Sequence, residues 1–165
     1  MSTPTGSTAP ASSRTAGDTA PRVTPGSRGR LPTPGELTAI TEGRLPGLLG
    51  FTVTGVTQTA ITARMNIEAH HLAPNGYLHA ATVVALADTA CGMGCRLALP
   101  EGADGFTTIE LKTSFLRTVR GGTVTVDAGL IHGGRTTQVW DATVVDDEKR
   151  ALALFRCTQL ILRPK

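Results

Sequence analysis

The run HAATVVALADTACGMGCRLAL, residues 79–99, constrains the fold more than any other part of this chain. It is small and apolar almost throughout, and no proline interrupts it before Pro100. Such a run predicts one long helix of roughly five turns. Asp88 and Arg96 break its apolar character, so a helix buried in a core explains it better than a bilayer span. The segments around it keep a different period. Ile61, Ala63, Met65 and Ile67 alternate with Thr62, Arg64 and Asn66, the pattern of a half-buried strand. TIELKTSFL alternates likewise, with Ile109, Leu111 and Phe115 on one side. Val124, Val126, Ala128 and Leu130 oppose Thr123, Thr125 and Asp127, and RTTQVWDATVV and RALALFRCTQLIL are two further β-rich runs. Turn signals separate them at RGG 120–122, HGGR 132–135 and DDEKR 146–150. Two strands, one helix and four strands in hairpin succession predict an α+β domain: a mostly antiparallel sheet wrapped around one long central helix.

Residues 1–35 consist mainly of Ser, Thr, Pro, Gly and Ala and can bury too little surface to offset ordering. They predict a disordered leader ahead of a domain at 36–165, and with no apolar h-region they do not read as a secretory signal. The charge bias lies in this leader. Arg14, Arg22, Arg28 and Arg30 stand against Asp18 alone and account for the net +3. Sixteen basic residues less those four, and thirteen acidic less that one, leave twelve of each from Leu31 onward. A neutral core, in a chain with 4% aromatic residues, argues against a nucleic-acid partner. Three cysteines, an odd number, predict small buried hydrophobes in a reducing, cytoplasmic setting. Cys91 and Cys95 lack the nearby further ligands that a metal would need, so no metal is expected.

At about 100° per residue, Val83, Leu86, Met93 and Leu97 fall together as a bulky stripe expected to pack on the sheet. Asp88 falls on another face, beside Ala81, Val84, Ala85, Cys91, Gly92 and Cys95. Small neighbours allow a ligand or a second backbone to come close, and an ionisable group kept in such a place is paired or reserved for chemistry. Ahead of the helix, PNGYLHAA supplies a turn at Pro74, Asn75 and Gly76, then His79 at or near the N-cap. First-turn N–H groups around Ala80 and Ala81 lack intrahelical partners and suit an oxygen that gains negative charge.

These residues resemble the hotdog-fold acyl-CoA thioesterases, in particular the 4-hydroxybenzoyl-CoA and phenylacetate-pathway (PaaI-type) family. Its signature is G-x-x-H-G-G followed by L-A-D or L-A-E. Here it reads Gly76, His79, Ala80, Ala81, then Leu86, Ala87 and Asp88, with the acid nine residues after the histidine. FLRTVRGG is similar to the family's F-x-R-P-V-x-x-G segment, and the likeness spans about residues 45–163. The resemblance implies a hotdog fold, a homodimer or homotetramer with active sites between subunits, and hydrolysis of an acyl-CoA to free acid and coenzyme A. It implies Asp88 as nucleophile or general base, the Ala80 N–H as the group polarising the thioester carbonyl, and His79 as a support for loop or carbonyl. Thr108 would orient the acid or the water. Coenzyme A enters as part of the substrate, and no separate cofactor is implied. Arg117, Arg120, Arg135 and Thr136 are candidates for its phosphates, since guanidinium groups suit bidentate contact.

The chain departs from the signature in two places. Alanines stand where the family has a glycine pair, and Ala73 stands where some members place Gln or Asn, with Asn75 as the nearby substitute. These departures keep a second reading open, a non-catalytic module that binds acyl-CoA. His70 and His71 read as loop histidines facing opposite ways, and IHGG at 131–134 reads as a hairpin turn despite its likeness to the motif. Aromatic and medium-chain acyl groups are both compatible, on coenzyme A or on an acyl-carrier protein.

Overall fold

The computed structural model describes residues 30–164. Two short helices, α1 (Pro34–Ala39) and α2 (Leu45–Leu48), lead into β1 (Thr52–Val56) and β2 (Ala60–Asn66). A 3-10 turn at Ala69–His71 and a loop precede α3 (Ala80–Leu97). Then come β3 (Gly105–Phe115), β4 (Thr123–Gly133), β5 (Thr137–Val145) and β6 (Ala151–Leu162). The expected sequence of strands around one long helix is present, but β3 pairs with β6 and not with β4, so only β4, β5 and β6 follow in hairpin succession. The two short helices are additional, and the first begins inside the segment that composition marked as leader. Thr33 starts it: its hydroxyl accepts from the Glu36 N–H, while the Glu36 carboxylate accepts from the Thr33 N–H. That reciprocal capping box, with Pro34 in the first turn, outweighs a composition poor in bulky side chains. The rest of the expected leader, residues 1–29, lies outside the described residues.

The six strands form one antiparallel sheet in the order β1-β2-β4-β5-β6-β3. β2 and β3 are far apart in that order, so the chain between them must cross the sheet. α3 makes the crossing and closes the core. Alternation turns Ile61, Met65, Val124, Val126, Trp140 and Val144 toward it, each 1% exposed or less. Each such side chain contributes roughly 1.5–3 kcal/mol of burial.

The surface of α3 that meets the sheet differs from the expected bulky stripe. Val83 and Leu86 are buried as expected, but Met93 and Leu97 are only partly covered. Ala87, Ala90, Cys91 and Cys95 are each 0% exposed, so most of the buried arc is made of small residues. Trp140 explains the reversal. A Cβ added at Gly94 would lie 2.5 Å from the indole ring, so the bulky partner sits on the sheet and the helix must be thin beneath it. Cys91 and Cys95 therefore face the core rather than the open side of Asp88.

The two sheet edges are treated differently. At β1 the Val53 N–H donates to the Thr38 hydroxyl of α1 at 3.0 Å, and α1 covers that edge. β3 has eleven residues and no strand beyond it among the described residues. A register shift between Thr108 and Glu110 displaces Ile109 from the simple alternation. Leu111 and Phe115 then lie opposite Cys157 and Ala153, on the helix side of the sheet, yet are 45% and 50% exposed. The expected apolar side of this strand is thus real but uncovered.

Candidate active site

Asp88 stands at the border of the buried arc of α3, half covered, and leans toward β3. The Thr108 Oγ1 lies 3.4 Å from Asp88 Oδ1 and 3.0 Å from Gln159 Oε1. Burial raises the Asp88 carboxyl above the usual carboxylate range, and the Thr108 hydroxyl opposes the shift. Behind this group, the Gln159 amide donates to the Cys157 sulfur at 3.3 Å. Cys157 in turn is hydrogen-bonded to Cys91, whose thiol is pushed up by that bond and by burial. All three cysteines are free thiols in the core. Gln159 carried a signal that alternation alone did not single out: one fully polar side chain at an inward position of the last strand.

His79 is the N-cap of α3, and its Nδ1 accepts the Ala81 N–H at 2.9 Å. That bond leaves Nδ1 without a proton and places the ring hydrogen on Nε2. It also narrows the expected pair of free N–H groups to one. Thr82 and Val83 both donate to the His79 carbonyl, so the Ala80 N–H is the first-turn donor without a partner among the described residues. His71 builds the platform below. It is 1% exposed, its carbonyl accepts from the His79 N–H and the Thr82 hydroxyl, and its Nδ1 accepts from the Glu68 N–H. His70 is exposed and His71 buried, but in the 3-10 turn their ring centroids lie 4.0 Å apart, so the two adjacent histidines do not face opposite ways as an extended segment would have them. His132 sits near the end of β4 opposite Val139, within the β4–β5 hairpin.

The other expected residues separate into groups. The Asn75 carboxamide oxygen accepts from the Tyr77 N–H at 3.2 Å, which holds the turn before α3. Arg120 lies over the Tyr77 ring at 4.2 Å, and the Leu78 N–H donates to the Val119 carbonyl, so this loop borders the start of α3. Arg117 follows β3 and donates to the Ala151 carbonyl at 3.1 Å. Arg135 and Thr136 lie in the β4–β5 hairpin at the opposite end. There the Arg135 carbonyl accepts from Arg163, the Thr136 carbonyl accepts from Ile161, and Gln138 reaches the Ala98 carbonyl just past α3. The rise of an eighteen-residue helix separates the two ends by roughly 27 Å. Within one chain, the four phosphate candidates therefore do not form one cluster.

The model of the thioesterase superfamily matches residues 75–153. ComA2 of Bacillus subtilis is 30% identical over 115 residues, 70% of this chain and 91% of that protein. The 1,4-dihydroxy-2-naphthoyl-CoA hydrolase of Listeria monocytogenes is 28% identical over 110 residues, 67% of this chain and 89% of that protein. A crystal structure of a variant of the thioesterase PA1618 of Pseudomonas aeruginosa superposes with TM-score 0.77 at 29% identity, covering 81% of this chain and 96% of that one. The PaaI protein of Escherichia coli shares the fold, with TM-score 0.68 at 23% identity, 79% of this chain and 96% of that one. The match spans the helix that carries Asp88 and most of the sheet beneath it, and by it the chain belongs to the thioesterase superfamily, as a thioester hydrolase of the hotdog fold.

Proposed function

We propose that this chain hydrolyses an acyl-CoA thioester to the free acid and coenzyme A, with Asp88 activating the attacking water as general base. The observation that carries the reading is the half-buried carboxyl held by Thr108 with its pKa raised by burial. A base whose pKa moves toward the working pH takes a proton from water more readily than an ordinary carboxylate. Direct attack by the same carboxylate is the nucleophilic form of this reading. The Ala80 N–H, at the positive end of α3, is the donor for the developing oxyanion. The resemblance of Gly76, His79, Leu86, Ala87 and Asp88 to the acyl-CoA thioesterase signature supports this assignment.

Geometry supports a site completed by a second copy of the chain. Asp88 follows Ala80 by eight residues, so their backbones lie roughly 12 Å apart along the axis. First-turn N–H groups point out of the helix end, away from Asp88, so a bound oxygen would stand about 3 Å further off. A water within about 3 Å of both the base and the carbonyl carbon bridges only roughly 7 Å between carboxylate and carbonyl oxygen. The Asp88 and Ala80 groups of one chain are too far apart to act on one thioester, whereas groups of two chains are not so limited. The uncovered edge of β3, the strand that carries Thr108 and exposes Leu111 and Phe115, is where the second copy would pair. The reading gives a homodimer as the working unit, in a reducing compartment that keeps the three buried thiols free.

Asp88→Asn tests the assignment. Burial that raises a carboxyl pKa costs folding free energy once the group is ionised, so the neutral isostere should fold at least as stably near neutral pH. Thiol release from a panel of aromatic and medium-chain acyl-CoAs should fall by roughly a thousandfold or more in this variant. In the wild type, kcat/KM should be full above the raised pKa and decline as pH falls through it. Undiminished turnover by Asp88→Asn would sink the assignment.

A further inference from the structure

We propose that Gln159 is a positioning residue for Asp88, acting through Thr108 so that the Asp88 carboxyl is held both as carboxylate and as carboxylic acid during turnover. The inference rests on the general-base reading of Asp88. Gln159 is 0% exposed and lies opposite Thr108 in the β3–β6 register, on the helix side of the sheet. Thr108 Oγ1 is within reach of two acceptors, 3.0 Å from Gln159 Oε1 and 3.4 Å from Asp88 Oδ1. A hydroxyl has one hydrogen and cannot donate to both.

Two arrangements resolve this conflict on the same heavy-atom positions. With Asp88 protonated, its O–H donates to Thr108, and Thr108 donates to the Gln159 carbonyl oxygen. With Asp88 ionised, Thr108 donates to the carboxylate, and the Gln159 amide turns over to donate an N–H to Thr108. The oxygen and nitrogen of an amide are nearly the same size, so the half-turn needs no repacking. The far side of the amide meets the Cys157 sulfur at 3.3 Å, and a thiol both accepts and donates weakly. Gln159 therefore has a partner in either orientation.

The hydrolytic cycle passes through both states. Asp88 takes one proton from water as the oxygen–carbon bond forms, and the tetrahedral intermediate then expels the thiolate. The proton passes from Asp88 to the thiolate, the carboxyl is ionised again, and water plus thioester have become acid plus thiol. A partner fixed as acceptor would favour the acid, and one fixed as donor would favour the carboxylate.

The titratable groups that sense the Asp88 charge are Cys91 on its own helix and Cys157 on β6. Asp141 of β5 acts on the same two thiols and is paired with Arg156 of β6 on the far face. By alternation, Glu110 and Lys112 of β3, Arg64 of β2 and Asp127 of β4 also stand on that far face. No charged group facing Asp88 from the sheet competes with the Thr108–Gln159 relay among the described residues.

The test is a pH profile of kcat and KM for the full chain, on the acyl-CoA that turns over best, for wild type, Gln159→Met, Thr108→Val and the double variant. Gln159→Met should lower kcat roughly fivefold, the worth of one buried hydrogen bond, with KM unchanged. Its acid limb should move to lower pH, because the acid form then loses the acceptor of the Thr108 hydrogen, a buried donor left unpaired, whereas the ionised form keeps the Thr108 bond to the carboxylate. On the Thr108→Val background, the same substitution should change neither quantity. An equal effect on both backgrounds, or a loss of kcat with an unmoved limb, overturns the proposal. If Gln159→Met does not fold, Gln159→Glu decides: a second carboxylate should move the limb to higher pH, and an unmoved limb again overturns it. Full activity in Asp88→Asn would remove the general-base reading itself. An inactive Asp88→Asn with normal Gln159 variants removes this inference alone.

Discussion

Adding one methyl group to Gly94 should destabilise the protein even though alanine is the better helix former. The new Cβ would lie 2.5 Å from Cη2 and from Cζ3 of Trp140, and 3.1 Å from Cζ2. Relief to an ordinary carbon–carbon separation needs a relative shift of about 1 Å between helix and ring. Trp140 is 0% exposed and cannot retreat into solvent. Its indole N–H donates to Gln138 Oε1 at 2.9 Å, and Gln138 donates to the Ala98 carbonyl at 2.8 Å, just past the end of α3. Moving the ring therefore strains a buried chain of two hydrogen bonds as well as the packing. Overpacking costs about 1–3 kcal/mol, and a buried donor left unpaired costs about 1–3 kcal/mol more. Replacing glycine in a helix returns roughly 1 kcal/mol. The net expectation is a loss of about 1–5 kcal/mol. Trp140 is the chain's one tryptophan, so its emission during urea unfolding reports on the contact itself. Gly94→Ala should lower the urea midpoint and change the folded-state emission. A variant as stable as the wild type, with unchanged emission, would refute the claim that Gly94 sets the helix–sheet distance.

Phe115→Glu places a charge on the exposed apolar side of the unpaired β3 edge. Losing the burial of one large side chain at an interface weakens association by roughly 10- to 100-fold. Sedimentation velocity should therefore show a shift toward monomer at micromolar concentration, with turnover falling in parallel; an unchanged assembly would exclude this edge as the interface. A second prediction concerns α1. The Arg30 side chain, and then the Thr33 N–H and hydroxyl, hold the Glu36 carboxyl down to about 2 from an ordinary 4.5. A depressed carboxyl contributes stability that is full above its unfolded pKa and is lost as pH falls through the folded one. Protection of the α1 amides against hydrogen exchange should thus decline between about pH 4.5 and 2, and Glu36→Gln should remove that dependence.

The one long helix, the strand periods and the turn signals were readable in the chain because each depends on local spacing. So were His79 as N-cap and the separation between it and Asp88, since helical rise converts residue number into distance. The sequence by itself therefore determined the order of the strands and the long helix and the place of the carboxylate along that helix, but not the two short helices ahead of β1. Which arc of α3 met the sheet was decided only by tertiary structure. Bulk on the helix pointed to Val83, Leu86, Met93 and Leu97, but Trp140 is contributed by a strand more than forty residues later and selects the small residues instead. The same holds for the surroundings of Asp88. Thr108 and Gln159 are fifty-one residues apart and meet only because β3 pairs with β6 at the sheet edge. The uncovered side of β3 likewise exists only in the fold, where alternation turns Leu111 and Phe115 toward the helix layer but α3 leaves them exposed. Local periodicity fixes what each segment becomes. Long-range pairing decides which side chains share a proton.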